Sequence, residues 1–380
     1  MLARLTVLGL AALAPCLGLS AAQIETAPAA YDVRPVDERP RMRVLTWDVS
    51  GVVCDAGTRV APATLNPPLP QTQFLTAANA PQPVRLNFDL DSEGRPFNIR
   101  SEIDKRARQQ TRDLMPSLRA SRFTVDGARQ SCSITYTPQS APFAEAPLET
   151  LAALGVATRL RMSKDAWERI SPGDCRDAPR LAPLTRTYPD FRKLTRREGA
   201  RQWTYVTYDI DGEGVPVNLA TALTSGYDAL DAEARAAVQA GRYAGGPRTG
   251  CAQAWWTGPA TIPAPPIPPK SETGGNPACK LEDRWDKEPR LTFPPEYRQR
   301  AIEGWAILRF DVAPWGEIGG IEVIDAQPSS EFGEAAMNVL RSARFKPQES
   351  GLSGCIDRVI FRMRKDEADT ADGAADARTE

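Results

Sequence analysis

An ungapped internal repeat limits what this chain can fold into more than any other feature, because each copy of a repeated pattern must satisfy the same local structure. Asp89-Leu-Asp-Ser-Glu-Gly94 recurs as Asp209-Ile-Asp-Gly-Glu-Gly214, and a third version reads Asp311-Val-Ala-Pro-Trp-Gly316. An aromatic residue precedes each Asp: Phe88, Tyr208 and Phe310. Thirty-four residues beyond each Asp stands another aromatic, Phe123, Tyr243 or Phe345, with Arg122, Arg242 or Arg344 directly before it.

The cysteines follow the same register. Setting aside Cys16, they divide as Cys54/Cys132, Cys175/Cys251 and Cys279/Cys355, with separations of 78, 76 and 76. Spacing alone does not choose among the connectivities of six cysteines. The repeat does, because equivalent positions in one fold pair alike. The competing arrangement joins neighbouring copies, as Cys132 to Cys175. A bridge closing a loop of that length is worth roughly 4 kcal/mol in the chain-entropy account. That is decisive for a unit of under about 100 residues with a modest core.

Disulfides imply an oxidising compartment, and the N-terminus agrees. Arg4, the apolar run Leu5 to Leu19 and the small residues Ser20-Ala21-Ala22 read as a signal peptide over 1–22. A lipoprotein at Cys16 and an uncleaved membrane anchor are the rival readings. All three place the bulk of the chain outside the cytoplasm. The chain contains no histidine, which removes the commonest general base and metal ligand and argues against an enzyme. With 47 Lys+Arg against 48 Asp+Glu there is no basic face for nucleic acid. No motif points to a small-molecule substrate, cofactor or metal. The acidic runs at Asp89 and Asp209 lack the remaining ligands of a calcium loop and read as hairpin turns.

The third copy is the most legible. Phe293-Pro294-Pro295 opens a short helix through Ile302, with Gly304 available to cap it. Strands are predicted over 305–312 and 317–324, joined at Gly316. A helix over 330–343 carries Phe332, Ala336, Val339 and Leu340 on one stripe. A last strand, 356–363, follows Cys355. In the second copy this last strand holds Trp255 and Trp256, one expected inward and one outward. Pro-rich residues 259–277 read as a stiff spacer, and the polar, acidic tail 365–380 as disordered.

The ordered set Phe293-Pro294, Glu303-Gly304, Phe310-Asp311-Val312, Gly316 and Arg344-Phe345-Lys346-Pro347 resembles the C-terminal domain of the TonB family. Tyr188-Pro189, Glu198-Gly199, Asp209, Gly214 and Arg242-Tyr243 repeat it in the second copy, and the first is recognisable only from Phe88 onward. The resemblance implies an α+β fold: three tandem modules of order α-β-β-α-β, each a small antiparallel sheet with two helices and one disulfide, over 45–137, 155–258 and 278–364. It implies a periplasmic protein whose partners are envelope proteins, outer-membrane transporters among them. It also implies a binding mode, in which the last strand pairs with an extended partner segment. The matching residues here are Ile356, Asp357, Arg358, Val359, Ile360, Phe361, Arg362 and Met363. Having no His and a cleavable leader, the chain departs from an energy transducer, so binding without motor coupling is expected. A membrane-anchored transducer is the alternative, and an enzyme or inhibitor with an unrecognised site the outlier.

Overall fold

The computed structural model describes residues 42–55, 57–76, 79–101, 107–158, 168–177, 179, 181–279, 284–363 and 373–375. The leader lies outside them. Three main antiparallel sheets follow one another along the described residues, with three two-stranded pairs beside them.

The first sheet is built from β1 (Met42–Val49), β2 (Val52–Cys54), β3 (Thr58–Val60), β5 (Gln71–Phe74), β6 (Val84–Leu90), β7 (Pro96–Ser101) and β9 (Arg129–Pro142). The short strands β4 (Pro62–Thr64) and β8 (Arg122–Phe123) pair beside it. Helices α1 (Arg108–Thr111) and α2 (Leu114–Ala120) lie between β7 and β8. With seven strands the sheet exceeds the small module expected. The 14-residue β9 is long enough to take β6 on one side and both β1 and β2 on the other.

A helix, α3 (Leu148–Thr158), leads to the second sheet. Here β10 (Ala182–Thr185) pairs with β13 (Arg242–Ala244), while β11 (Gln202–Ile210) lies between β12 (Pro216–Thr224) and β14 (Arg248–Thr257). Helix α4 (Asp228–Gln239) packs Leu230, Ala234 and Val238 on one face, with Val206, Tyr208 and Trp255. Leu151, Ala152 and Val156 of α3 cover the other face, against Trp203, Tyr205 and Trp256. Both tryptophans are therefore buried, Trp255 at 0% and Trp256 at 8% exposure, and neither forms an outward platform. Helix α3, which packs on the second sheet, begins at Leu148.

The third sheet follows the predicted order. After α5 (Lys270–Thr273) and β15 (Trp285–Lys287) come α6 (Pro295–Gln299), β16 (Gly304–Val312), β17 (Ile318–Gln327), α7 (Ser330–Arg341), β18 (Arg344–Phe345) and β19 (Leu352–Phe361). Phe332, Ala336, Val339 and Leu340 are the buried stripe of α7. The left-handed turn that ends α6 falls on Ala301 (φ 53°), not on Gly304. Gly304 serves packing instead, since a Cβ there would sit 2.4 Å from the Phe332 ring.

The repeated marks have one structural explanation. Asp89 Oδ1 accepts from Ser131 N–H (2.9 Å), Asp209 Oδ1 from Gly250 N–H (2.8 Å) and Asp311 Oδ1 from Gly354 N–H (2.8 Å). Each Asp thereby pins the last strand of its sheet just ahead of a cysteine. The other oxygens of Asp89 and Asp209 accept from Asn98 and Asn218 at 2.8 Å. Those residues adopt φ of 53° and 54°, and Gly320, at φ 59°, stands at the corresponding place in the third sheet. The turn glycines are equally constrained. Phe123, Tyr243 and Phe345 each donate their N–H to the carbonyl of Gly94, Gly214 or Gly316 at 2.9 Å. A Cβ on any of these glycines would lie within 2.0 Å of that aromatic's carbonyl oxygen. The disulfides join Cys54–Cys132, Cys175–Cys251 and Cys279–Cys355.

The Pro-rich segment is not a free spacer. Ile262 is fully buried, and its N–H and C=O bond Ala301 O and Glu303 N at 2.8 and 2.9 Å. Ala260 N–H donates to Arg197 O, Trp305 Nε1 to Pro265 O and Arg119 Nη2 to Pro263 O. Proline cannot donate, but its carbonyls accept freely, so the segment accepts from Arg119 and Trp305 while its Ala260 N–H donates to Arg197 O. Around it the first and third sheets share one apolar core, in which Leu86, Ile99 and Leu118 join Ile302, Phe332 and Phe361. Arg300 locks this junction. Its Nε and Nη2 donate to Asp113 at 2.7 and 2.5 Å, its Nη1 to Gly199 O at 2.9 Å and its Nη2 also to Pro67 O at 2.8 Å.

Candidate functional site

The last strands β9, β14 and β19 are bonded on their inner sides to β6, β11 and β16 respectively. Their outer edges differ. An outer edge presents unpaired N–H and C=O groups that must be paired, covered or used. In the first sheet β1 runs along β9 from Val49↔Tyr136 to Arg43↔Pro142, and β2 adds Val53↔Ser133. In the second, β20 (Gly373–Ala375) pairs with Trp256 to Ala254 of β14. That places a short strand within the tail expected to be disordered. In the third, no strand among the described residues pairs with the outer edge of β19.

That edge is made of the predicted residues, with a shifted frame. The strand runs from Leu352 to Phe361, so Cys355 lies inside it, while Arg362 and Met363 lie beyond it. Its inner register runs from Val312↔Leu352 to Gly304↔Phe361. Pairing stops there because β16 starts there, and Met363 N–H turns to Glu303 Oε1 at 3.0 Å. Successive side chains alternate between faces. Val359 and Phe361 enter the core, and Phe361 joins an aromatic cluster with Phe293 and Phe332 at ring separations of 5.7 and 5.3 Å. Ile356, Arg358 and Ile360 share the opposite face. Arg358 Nη2 reaches Thr273 Oγ1 (3.4 Å), and Ile360 is 36% exposed.

Among the described residues, the segment ahead of Cys279 covers the start of the edge. Asn276 donates its N–H to Gly354 O (3.1 Å) and its Nδ2 to Ser353 O (3.0 Å). Among the described residues, no strand pairs with the stretch 356–361 on the outer side. Sequence reasoning located this stretch but missed its cap, because nothing in the composition of residues 270–277 signals a strand partner.

Asp91 Oδ1 accepts the N–H groups of Glu93 and Arg95, and Asp211 Oδ1 those of Glu213 and Val215. The acidic runs are thus turn-forming, with oxygens committed to their own backbone. Asn218 and the Gly250 N–H hold the Asp209 carboxyl below the usual range. Among the described residues, no group of three or more Cys, Asp or Glu could hold a metal ion. None of the described helices is long and apolar enough to cross a membrane.

Comparison with known proteins falls on the third sheet. Residues 289–358, from just before α6 into β19, match the family described as the C-terminal of the Gram-negative bacterial TonB protein. The chain is 32% identical over 73 residues to Protein TonB of Escherichia coli (strain K12) and 33% identical over 73 residues to Protein TonB of Salmonella typhimurium (strain LT2). Each match spans 18% of this chain and 30% of the relative's length.

Proposed function

We propose that this is a periplasmic protein-binding protein whose third sheet takes up extended segments of envelope proteins, outer-membrane transporters among them, by strand addition along Ile356–Phe361. One observation carries the reading: the outer edge of β19, which no described strand pairs with, begins within the part of the chain that matches the TonB family, a match that ends at residue 358. Main-chain hydrogen bonds supply affinity in such pairing, and alternating side chains supply selectivity. Asp357, Arg358 and Arg362 are the charged groups along and just beyond this edge. The shared aspartate and glycine geometry favours reading all three units as diverged modules of one kind. Only the third would then be available to a partner, without motor coupling of its own.

The test is capture of transporters from detergent-solubilised outer membranes by the full chain. Ile360→Lys places a charge on an exposed edge position without touching the core. It is expected to reduce capture at least about tenfold with the unfolding midpoint unchanged. Val359→Pro should abolish capture, with circular dichroism reporting any damage to the fold. Undiminished capture by both variants, each folded, would remove β19 as the site.

A further inference from the structure

A cavity of about 600 Å³ is lined by the segment Thr64 to Pro70 between β4 and β5, by residues leading into β11, and by Arg300. That volume is usual for a small-molecule site. Two sequence features build it. Pro67, Pro68 and Pro70 have no N–H to give to a ladder, so their segment extends neither neighbouring strand. Gly199 stands ten residues before Asp209, whereas Gly304 stands seven before Asp311, and the extra stretch, Ala200 to Gln202, lines the cavity.

The lining is cationic. It carries Arg122, Arg197, Arg201 and Arg300, against Glu198 as the one carboxylate among the described lining residues. Arg95 neutralises Glu198, reaching its two carboxylate oxygens at 3.1 Å each. Arg300 is committed to Asp113, Gly199 O and Pro67 O, and Arg201 Nη1 donates to Val156 O at 2.8 Å. Arg122 and Arg197 are less committed. Arg122 Nη2 stands 3.6 Å from Glu93, beyond hydrogen-bond reach. Arg197 lies 5.0 Å from the Tyr227 ring centroid and makes one 3.4 Å bond to Gly226 O. Leu65, 41% exposed, and Trp203 add apolar surface to the same lining.

We propose that this cavity binds a small amphipathic carboxylate, its anionic end drawn to the Arg122 and Arg197 guanidiniums and its apolar body set against Leu65 and Trp203. A guanidinium presents a planar fork of N–H groups that matches a carboxylate, and it remains charged at every physiological pH. The site is independent of strand addition, since none of its lining residues belongs to β19.

Calorimetric titration of the full chain with 4-phenylbutyrate tests the site, with 4-phenylbutanol as its uncharged counterpart. The acid should bind saturably and at least about tenfold more tightly than the alcohol. Arg122→Gln combined with Arg197→Gln should weaken the acid at least about tenfold while leaving the alcohol and the unfolding midpoint unchanged. Leu65→Glu gives a second variant at an exposed position. Its like charge should weaken the acid and spare the fold, whatever the double variant does. No saturable binding of the acid, equal binding of acid and alcohol, or undiminished binding of the acid by a folded variant overturns the proposal.

Discussion

The first and third sheets use the same aspartate, the same turn glycine and the same class of disulfide, yet they finish their last strand in opposite ways. Strand β9 is flanked on both sides, and its outer neighbour β1 places Leu45 and Trp47 in the shared core. Among the described residues strand β19 is flanked by a strand on one side, and beyond Asn276 no strand pairs with its outer edge. The same local scaffold can therefore be a completed structural element or an unfinished one. What separates them is whether another stretch of chain is long and apolar enough to cover the edge. The two sheets are joined through the common core and the Arg300–Asp113 pair.

Removing that pair is the strongest way to break the comparison. Both side chains are almost fully buried, at 3% and 4% exposure. Arg300→Met strands a buried carboxylate and is expected to cost about 3–5 kcal/mol, read as a lowered urea midpoint. Replacing Asp113 with Leu in the same chain should recover most of the loss, since two buried charges leave together.

The disulfides come next. Their loops are nearly equal, with separations of 78 and 76, so the chain-entropy account predicts similar losses of about 4 kcal/mol for Cys54→Ser/Cys132→Ser and Cys279→Ser/Cys355→Ser. The local response should differ. Exchange in β19 should accelerate well beyond that in β9, because only β9 keeps strands on both sides. Equal acceleration would mean that the open edge does not weaken its strand.

The smallest effect is a pH dependence at the seam between the two sheets. Burial pushes the Glu331 carboxyl up to about 7, and its Oε2 has no hydrogen-bond partner. A carboxyl raised in the folded state binds more protons there than in the unfolded chain. Its contribution to stability is therefore lost as pH rises from the ordinary value near 4.5 through 7. Glu331→Gln should flatten that decline and stabilise the protein above pH 7 by up to about 3 kcal/mol, as measured by denaturant titration at pH 4.5 and 8.

Local rules made much of the third sheet legible. The helical stripe of Phe332, Ala336, Val339 and Leu340 reads directly from its spacing, and the hairpin turn from Gly316. Boundaries were less legible. The last strand begins four residues earlier than its apolar pattern suggests, because Leu352–Cys355 pairs with β16 whatever its composition. Residues 259–277 have spacer composition but bury Ile262 between sheets, since proline carbonyls suit a junction rich in donors. Arg300 and Asp113 stand 187 residues apart, and no local pattern connects them.

By itself the sequence determined the repeated hairpin, the residue that pins each last strand and the cysteines available to close each loop. These depend on contacts whose spacing recurs in register, so they are written as fixed offsets. Only the tertiary structure decided which outer edges are closed, by what and how firmly. Edge pairing joins backbone groups of distant segments, backbone groups are alike at every residue, and nothing in the side chains of β1 or the tail marks the strand that each will cover.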